Sequence, residues 1–263
     1  MNEDNRKLLQ PYLSDFPITS LLIGKSETDK RDCVNLISSD HNVEEITERV
    51  DYDFITSLYL NTDMVFYVIN LDNLSLAKQN VILKLVEEPP MSSHIIMLTS
   101  NVKLVLPTII TRSVEFKLHS YSKEELDKMI PANHPNRSLL LAISETADDL
   151  EKFGEVDLQA VQSLCNNIFT NISRATFPNA MSIAQKYIYY KEPENSKFSV
   201  ETFISVLSDF LLQRFKVEPT NRVYLLCKSV LDTRVKMLNK NLLREHLIEQ
   251  MLLEFWKISR YEN

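Results

Sequence analysis

The sequence predicts an α/β fold in which helices flank a parallel sheet, followed by a C-terminal half that is helical throughout. Two short apolar runs, residues 64–69 (MVFYVI) and 94–99 (HIIMLT), are rich in β-branched and aromatic residues and too short for globular helices. They therefore predict buried strands. Between them, Ser75 can cap a helix with one apolar face, and the pair at residues 89–90 (PP) ends it. This order predicts a right-handed crossover between parallel strands.

Further elements of the same core are predicted on either side of this crossover. An apolar run at residues 20–23 (SLLI) predicts a strand, and alternation over residues 114–118 (VEFKL) predicts another. Residues 43–46 fit an edge strand. Helices are predicted at residues 6–18, 31–38, 50–60 and 107–110.

The hydrophobic pattern becomes helical after residue 120. We predict a core over residues 1–119, a small helical segment over 120–154 and a helical domain over 155–263. The helical domain carries apolar stripes that we interpret as core, the first formed by Leu158, Val161, Cys165, Ile168 and Ile172. Further helices are predicted from Ile183 through Tyr187 and Ile188 to near Pro193, and over residues 198–211, 225–231 and 242–258.

Composition excludes several classes of protein. The 263 residues are 44% hydrophobic and carry a net charge of −7. This charge argues against a protein that coats nucleic acid through an overall positive charge. No apolar run reaches the roughly 20 residues of a membrane span, and no signal peptide is recognisable. We expect a cytoplasmic protein that does not bind membranes. Cys33, Cys165 and Cys227 form no C-x-x-C pair, so we predict neither disulfides nor a metal site.

Three short sequence motifs resemble those of a known family. Residues 79–90 read QNVILKLVEEPP, residues 98–101 read LTSN, and residues 106–113 read LPTIITRS. They closely resemble the bacterial clamp-loader subunits of DNA polymerase III, of the AAA+ class, in which QNALLKxLEEPP precedes a sensor-1 strand and a PTIxSRC motif. The resemblance implies that the predicted core is AAA+-like, that the small helical segment is a lid, and that the C-terminal domain is a collar that joins subunits into a ring.

The turn after the first predicted strand is the position of the phosphate loop in the family that the chain resembles. Active ATPases of this fold carry the phosphate loop G-x-x-x-x-G-K-[ST] there. Here the residues read GKSETDKR, so Gly24 and Lys30 are in register while Asp29 and Arg31 replace the second glycine and the hydroxyl. We interpret this as a ruined phosphate loop, an ordinary strand-to-helix turn with a solvated Lys30. Residual nucleotide binding through Gly24 and Lys30 is the alternative, and we expect no cofactor.

The acid pair of an ATPase site is altered as well. The Asp-Glu pair that the resemblance implies at the end of the central strand is replaced by Ile69 and Asn70. A shifted alignment would recover one carboxylate from Asp72, although a turn aspartate is the simpler interpretation. Ser100 and Asn101 occupy the sensor-1 position, where we predict turn residues.

The lid offers a third alteration. Its sensor-2 word is replaced by residues 143–149 (ISETADD), which place acids where a phosphate would require a cation. We therefore expect that this chain does not hydrolyse ATP by itself.

Arg112 is the one candidate catalytic residue. In the family that the chain resembles, the arginine of the S-R-C motif reaches the ATP held by a neighbouring subunit. A planar guanidinium suits this role because it holds a phosphate in one orientation. Thr111 and Ser113 depart from the usual motif.

The function implied by the resemblance is that of a delta-prime-like subunit without ATPase activity. It would join ATPase subunits and a delta-like subunit in a hetero-pentamer, within the DNA polymerase III holoenzyme, that loads the sliding clamp on primer-template DNA. Weak echoes of the collar lie at residues 210–214 and 238–241. The alternatives are an active clamp-loader ATPase with an unusual pocket, and a decoy that inhibits a host clamp loader.

Overall fold

The computed structural model describes residues 2–39, 41–47, 50–172, 174–182, 199–237 and 242–261. The chain forms two compact units, one of Met1–Ser122 with Glu145–Asp148 and one of Lys123–Ser144 with Asp149–Asn263. The predicted division into a core, a lid and a collar stays a prediction.

The first unit is built on a parallel sheet. Its strands are β1 (Thr19–Ile23), β2 (Asn42–Ile46), β3 (Val65–Asn70), β4 (Ser93–Thr99) and β5 (Val114–Lys117). They lie in the order β2-β3-β4-β1-β5, and each neighbouring pair is parallel. The predicted edge strand β2 lies at one edge, and β3 pairs with β4 as the crossover requires. The parallel α/β core predicted from the sequence is confirmed.

Helices cover the sheet on both faces. They are α1 (Glu3–Leu9), α2 (Glu27–Ser38), α3 (Tyr52–Leu58), α4 (Leu76–Glu87) and α5 (Pro107–Ile110). Tyr67 and Ile69 of β3 join one buried cluster with α3, α4 and α5, whereas Phe66 and Val68 join another with α1 and α2. Because each face is buried, the strand is a continuous apolar run instead of an alternating one. The predicted cap is confirmed, since Ser75 Oγ accepts a hydrogen bond from the N–H of Lys78.

The bounds predicted for the first helix are wrong. Instead of residues 6–18, α1 covers Glu3–Leu9 and passes into a 3₁₀ turn that ends at Tyr12. It begins early because Asn2 Oδ1 accepts a hydrogen bond from the N–H of Asp4 at 2.8 Å. It ends early because Pro11 has no N–H with which to continue the helix.

The segments that follow the sheet are helical. They are α6 (Lys123–Met129), α7 (Arg137–Ile143), α8 (Ala147–Gly154), α9 (Leu158–Ile172), α10 (177–182), α11 (Val200–Val217), α12 (Asn221–Lys236) and α13 (Arg244–Tyr261). The stripe predicted on α9 is buried in a cluster with Phe203, Leu207 and Phe255. The helix predicted through Ile183, Tyr187 and Ile188, together with Phe198 and residues 238–241, lies outside the described residues.

Cys33, Cys165 and Cys227 form no disulfide. Burial raises the pKa of Cys33 and of Cys165 to about 12, and for Cys33 the carboxylates of Asp29 and Asp32 add to the effect. Both thiols therefore stay protonated and act as small core side chains. In the part of the chain that the structure covers, no helix is long and apolar enough to span a bilayer.

Candidate functional site

The turn from β1 to α2 is too short to wrap a phosphate. Ser26 Oγ accepts a hydrogen bond from the N–H of Asp29 at 3.0 Å, and this cap starts α2 at Glu27 instead of near residue 31 as predicted. Only residues 24–26 separate strand from helix. In a phosphate loop, the corresponding backbone stays open so that several N–H groups can converge on the ligand. Here the sequence folds that stretch into the first turn of the helix.

Gly24 has a packing role in this turn. Its N–H donates a hydrogen bond to the carbonyl of Thr99 at 3.0 Å, which ties the end of β1 to the end of β4. A Cβ at this position would lie 3.1 Å from the Cβ and the Cδ1 of Leu118. The glycine is therefore explained by the close approach of Leu118, and it indicates no bound phosphate.

Lys30 is buried, contrary to the solvated position predicted for it. Its side chain is 1% exposed, and its Nζ lies 2.8 Å from Glu27 Oε2 and 3.9 Å from Asp72 Oδ2. The prediction was wrong because α2 starts early, which places Lys30 on the helix face that packs against the sheet. The lysine that would neutralise phosphates in an ATPase is paired with the chain's own acids.

Asp29 acts as a tether inside the first unit. The residue is 4% exposed, and its carboxylate accepts hydrogen bonds from the N–H of Asn2 at 3.2 Å and from the hydroxyl of Tyr121 at 2.8 Å. Burial raises the pKa of Tyr121, and the neighbouring Asp29 carboxylate raises it further. The acid that replaces the second glycine of the motif therefore holds the N-terminal segment and residue 121 against α2.

Acids from the altered sensor-2 word reach the start of α2. Asp148 Oδ2 accepts hydrogen bonds from the N–H groups of Glu27 at 2.7 Å and of Thr28 at 3.2 Å. Lys25 forms an ion pair with Glu145. Unpaired N–H groups at a helix N-terminus are a favoured place for a phosphate. A carboxylate of the chain occupies that place.

The end of β3 provides no hydrolytic acid pair. Ile69 is fully buried in the core, while the Asn70 side chain donates to Glu27 Oε1 at 3.4 Å and accepts from the N–H of Asp72 at 3.1 Å. Asp72 accepts hydrogen bonds from Thr99 Oγ1 at 2.7 Å and from the N–H of Ser100 at 2.8 Å. Its carboxylate therefore joins the end of β3 to the end of β4.

Asn101 caps the short 3₁₀ turn that follows β4, because its Oδ1 accepts a hydrogen bond from the N–H of Lys103 at 3.1 Å.

A small cleft lies between α2, β2 and the end of β3. Its volume is about 200 Å³, and its polar lining includes Glu27, Arg31, Asn35, Glu45, Asn70 and Asn73. Ligand pockets commonly reach roughly 300–1,000 Å³. The cleft is too small for a nucleotide without rearrangement of its walls.

Arg112 lies on the surface, directly after α5. Its side chain is 43% exposed, with Nη2 3.0 Å from Glu87 Oε1 and Nη1 3.2 Å from the carbonyl of Thr108. The residue precedes β5 and so lies at the amino edge of the parallel sheet, whereas Gly24, Asn70 and Thr99 lie at the carboxyl edge. The structure does not bring Arg112 together with the Lys30 turn.

Gln79 is a residue whose importance the sequence reasoning missed. It is buried, and its Nε2 donates to the carbonyls of Leu74 at 3.4 Å and Leu104 at 3.1 Å while its Oε1 accepts from the N–H of Leu106 at 3.0 Å. It thus joins α4 to the segment that leads into α5 and Arg112. The available signal was its position on the helix face of the buried Ile82 and Val86, where a polar residue requires partners.

Residues 19–122 match the family described as DNA polymerase III, delta subunit. A DNA polymerase III gamma subunit-related protein of Thermotoga maritima is similar in structure, with a TM-score of 0.57 and 17% identity over 98% of this chain and all of that one. This likeness shows a shared fold.

Two other solved structures are less similar. A RuvB mutant of Thermotoga maritima has a TM-score of 0.42 and 13% identity over 81% of this chain and 88% of that one. PCH-2 of C. elegans has a TM-score of 0.33 and 14% identity over 81% of this chain and 69% of that one. No curated protein matches the sequence significantly.

Proposed function

We propose that the chain is a delta-prime-like clamp-loader subunit that hydrolyses no ATP and supplies Arg112 to the ATP site of a neighbouring subunit. The match of residues 19–122 to the family described as DNA polymerase III, delta subunit, supports this proposal. Its partners are ATPase subunits and a delta-like subunit in a hetero-pentamer that loads the sliding clamp on primer-template DNA. Residues 155–263 form the collar of that ring. The complex works in the cytoplasm as part of the DNA polymerase III holoenzyme.

This proposal depends on the position of Arg112, which lies at the N-terminal ends of the parallel strands, whereas the Lys30 turn lies at their C-terminal ends. Strands β1 and β5 are neighbours and parallel, so the residue before β5 and the turn after β1 are separated by the length of a strand. An exposed arginine in this position cannot contact an anion at its own chain's turn. It can contact one that a second subunit presents to the amino edge of the sheet.

The ion pair with Glu87 does not prevent such a role. Both side chains are more than two-fifths exposed, and pairs of this kind contribute at most about 1 kcal/mol. The γ-phosphoryl group of a bound nucleotide carries more charge than one carboxylate and develops further charge during transfer. Arg112 can therefore exchange Glu87 for a phosphate when a neighbouring subunit holds ATP.

The absence of hydrolysis by this chain is supported by the turn itself. Asp148 occupies the N–H groups at the start of α2, Lys30 pairs with Glu27, and Ile69 stands where an acid would help to hold Mg²⁺. The chain then affects ATP use only through its neighbour. Since ATP and ADP make different contacts with Arg112, the nucleotide state biases the opening of the ring and the clamp.

The first test uses the purified chain alone. We expect neither ATP binding at millimolar nucleotide nor Mg²⁺-dependent hydrolysis, and we expect Lys30→Ala to lower stability by about 2 kcal/mol because it leaves Glu27 and Asp72 without their cation. Arg31→Ala is the matched control, since Arg31 is exposed and its hydrogen-bonded ion pair is with Glu45. Turnover that Lys30→Ala abolishes would establish an active ATPase instead.

The second test uses a reconstituted clamp loader that lacks the equivalent subunit. Adding this chain is expected to restore ATP-dependent clamp loading, and the chain is expected to co-purify with the ATPase subunits. Inhibition of a complete loader without restoration of the incomplete one would identify a decoy. Failure to associate with any loader subunit would reject both functions.

A further inference from the structure

We propose that the Asp148 carboxylate is a built-in substitute for a nucleotide phosphate, which holds residues 145–148 at the start of α2. This deepens the proposed function, on which it rests for the identity of the turn. The lost ATP site then acts as an anion site whose permanent occupant is part of the same chain.

The hydrogen bonds at the start of α2 are those expected of a bound anion. Two consecutive N–H groups, from Glu27 and Thr28, converge on a single oxygen of Asp148. Neither N–H has an intrahelical acceptor, because the first four N–H groups of a helix lack one. The helix has 12 residues, so its dipole adds a favourable potential for a negative charge at this end.

A second contact from the same short segment supports the assignment. Lys25 lies in the turn itself and pairs with Glu145, three residues before Asp148. The segment is therefore held at two points, by backbone N–H groups and by a lysine. Phosphate loops use the same two kinds of donor for a nucleotide.

The charges around the turn favour an internal anion over an external one. Two lysines, Lys25 and Lys30, face four carboxylates, which belong to Glu27, Asp72, Glu145 and Asp148. A polyphosphate, which carries several negative charges, would meet stronger repulsion there than a single carboxylate or one inorganic phosphate. Asp148 brings one charge and is linked covalently to the unit it binds, so its effective concentration at the site is high.

The test measures hydrogen exchange of the Glu27 and Thr28 amides by NMR in the full chain, without nucleotide or partner. Both amides are expected to be protected in the wild-type chain. Asp148→Ala is expected to accelerate their exchange by about tenfold, and Asp148→Asn by less, because the amide oxygen still accepts a hydrogen bond. Glu151→Ala, which removes an exposed acid from the same helix, is expected to change nothing.

Inorganic phosphate distinguishes a true anion site from a simple cap. At millimolar concentration it is expected to restore protection in Asp148→Ala and to leave the wild-type chain unchanged. Wild-type amides that exchange freely, equal exchange in Asp148→Ala and the wild type, or no restoration by phosphate would each overturn the proposal. None of these outcomes involves Arg112 or loader assembly, so each is distinguishable from a failure of the proposed function.

Discussion

Arg112→Ala is expected to slow ATP hydrolysis at the neighbouring subunit's site by about 10³-fold or more, because an arginine that stabilises the transferred phosphoryl group contributes on that scale. The measurement is single-turnover hydrolysis in an assembled loader in which the other ATP sites are inactivated. Assembly itself should persist, since the Arg112 side chain contacts only Thr108 and Glu87 among the contacts described in its own chain. Clamp loading should fall with hydrolysis.

Two variants separate this role from a general effect of charge. Arg112→Lys keeps the positive charge but loses the planar array of donors, so it should recover only a small part of the rate. Arg31→Ala removes another exposed arginine of the same unit, which pairs with Glu45 at 2.8 Å, and should leave hydrolysis unchanged. If Arg112→Ala and Arg31→Ala hydrolyse at the same rate, Arg112 does not act on the neighbour's ATP.

Gln79→Ala is expected to lower the free energy of unfolding of the first unit by about 3 kcal/mol. The change leaves the N–H of Leu106 and the carbonyls of Leu74 and Leu104 without the hydrogen bonds that Gln79 provides. It also opens a cavity beneath α4. Denaturant unfolding, followed by fluorescence of a tryptophan introduced into the first unit, measures the loss.

Asn80→Ala provides the matched control for Gln79. Asn80 is the next residue of α4, is exposed, and donates one hydrogen bond to the carbonyl of Leu76 at 3.1 Å. Its loss should cost less than about 0.5 kcal/mol. Equal destabilisation by the two variants would mean that the buried amide does not hold the segment before α5.

The elements that the sequence predicted well are those specified by neighbouring residues. The runs at residues 64–69 and 94–99 are strands because both faces of their sheet are buried, and that requirement is visible in composition alone. Ser75 begins a helix by accepting a bond from the N–H three residues further on, and Pro107 begins one because its ring fixes a helical φ at the first position. The short helical turn at residues 107–110, which precedes Arg112, was predicted for the same reason.

The parts that sequence reasoning missed depend on residues far apart in the chain. The buried position of Lys30 follows from the register of α2 on the sheet, and the partners of Gln79 lie up to 27 residues away. Asp148 is 121 residues from Glu27, so no local pattern could reveal that its carboxylate would occupy the start of α2.

The sequence by itself therefore determined the strands, the cap at Ser75 and the departures from the phosphate-loop pattern, because these depend on short-range periodicity and on the chemistry of single residues. Only the tertiary structure decided that the chain's own acids bind the lysines and N–H groups of the turn between β1 and α2. It also decided that Arg112 lies at the other end of the strands from this turn. Both facts depend on how distant segments pack, and packing is determined by the whole chain at once.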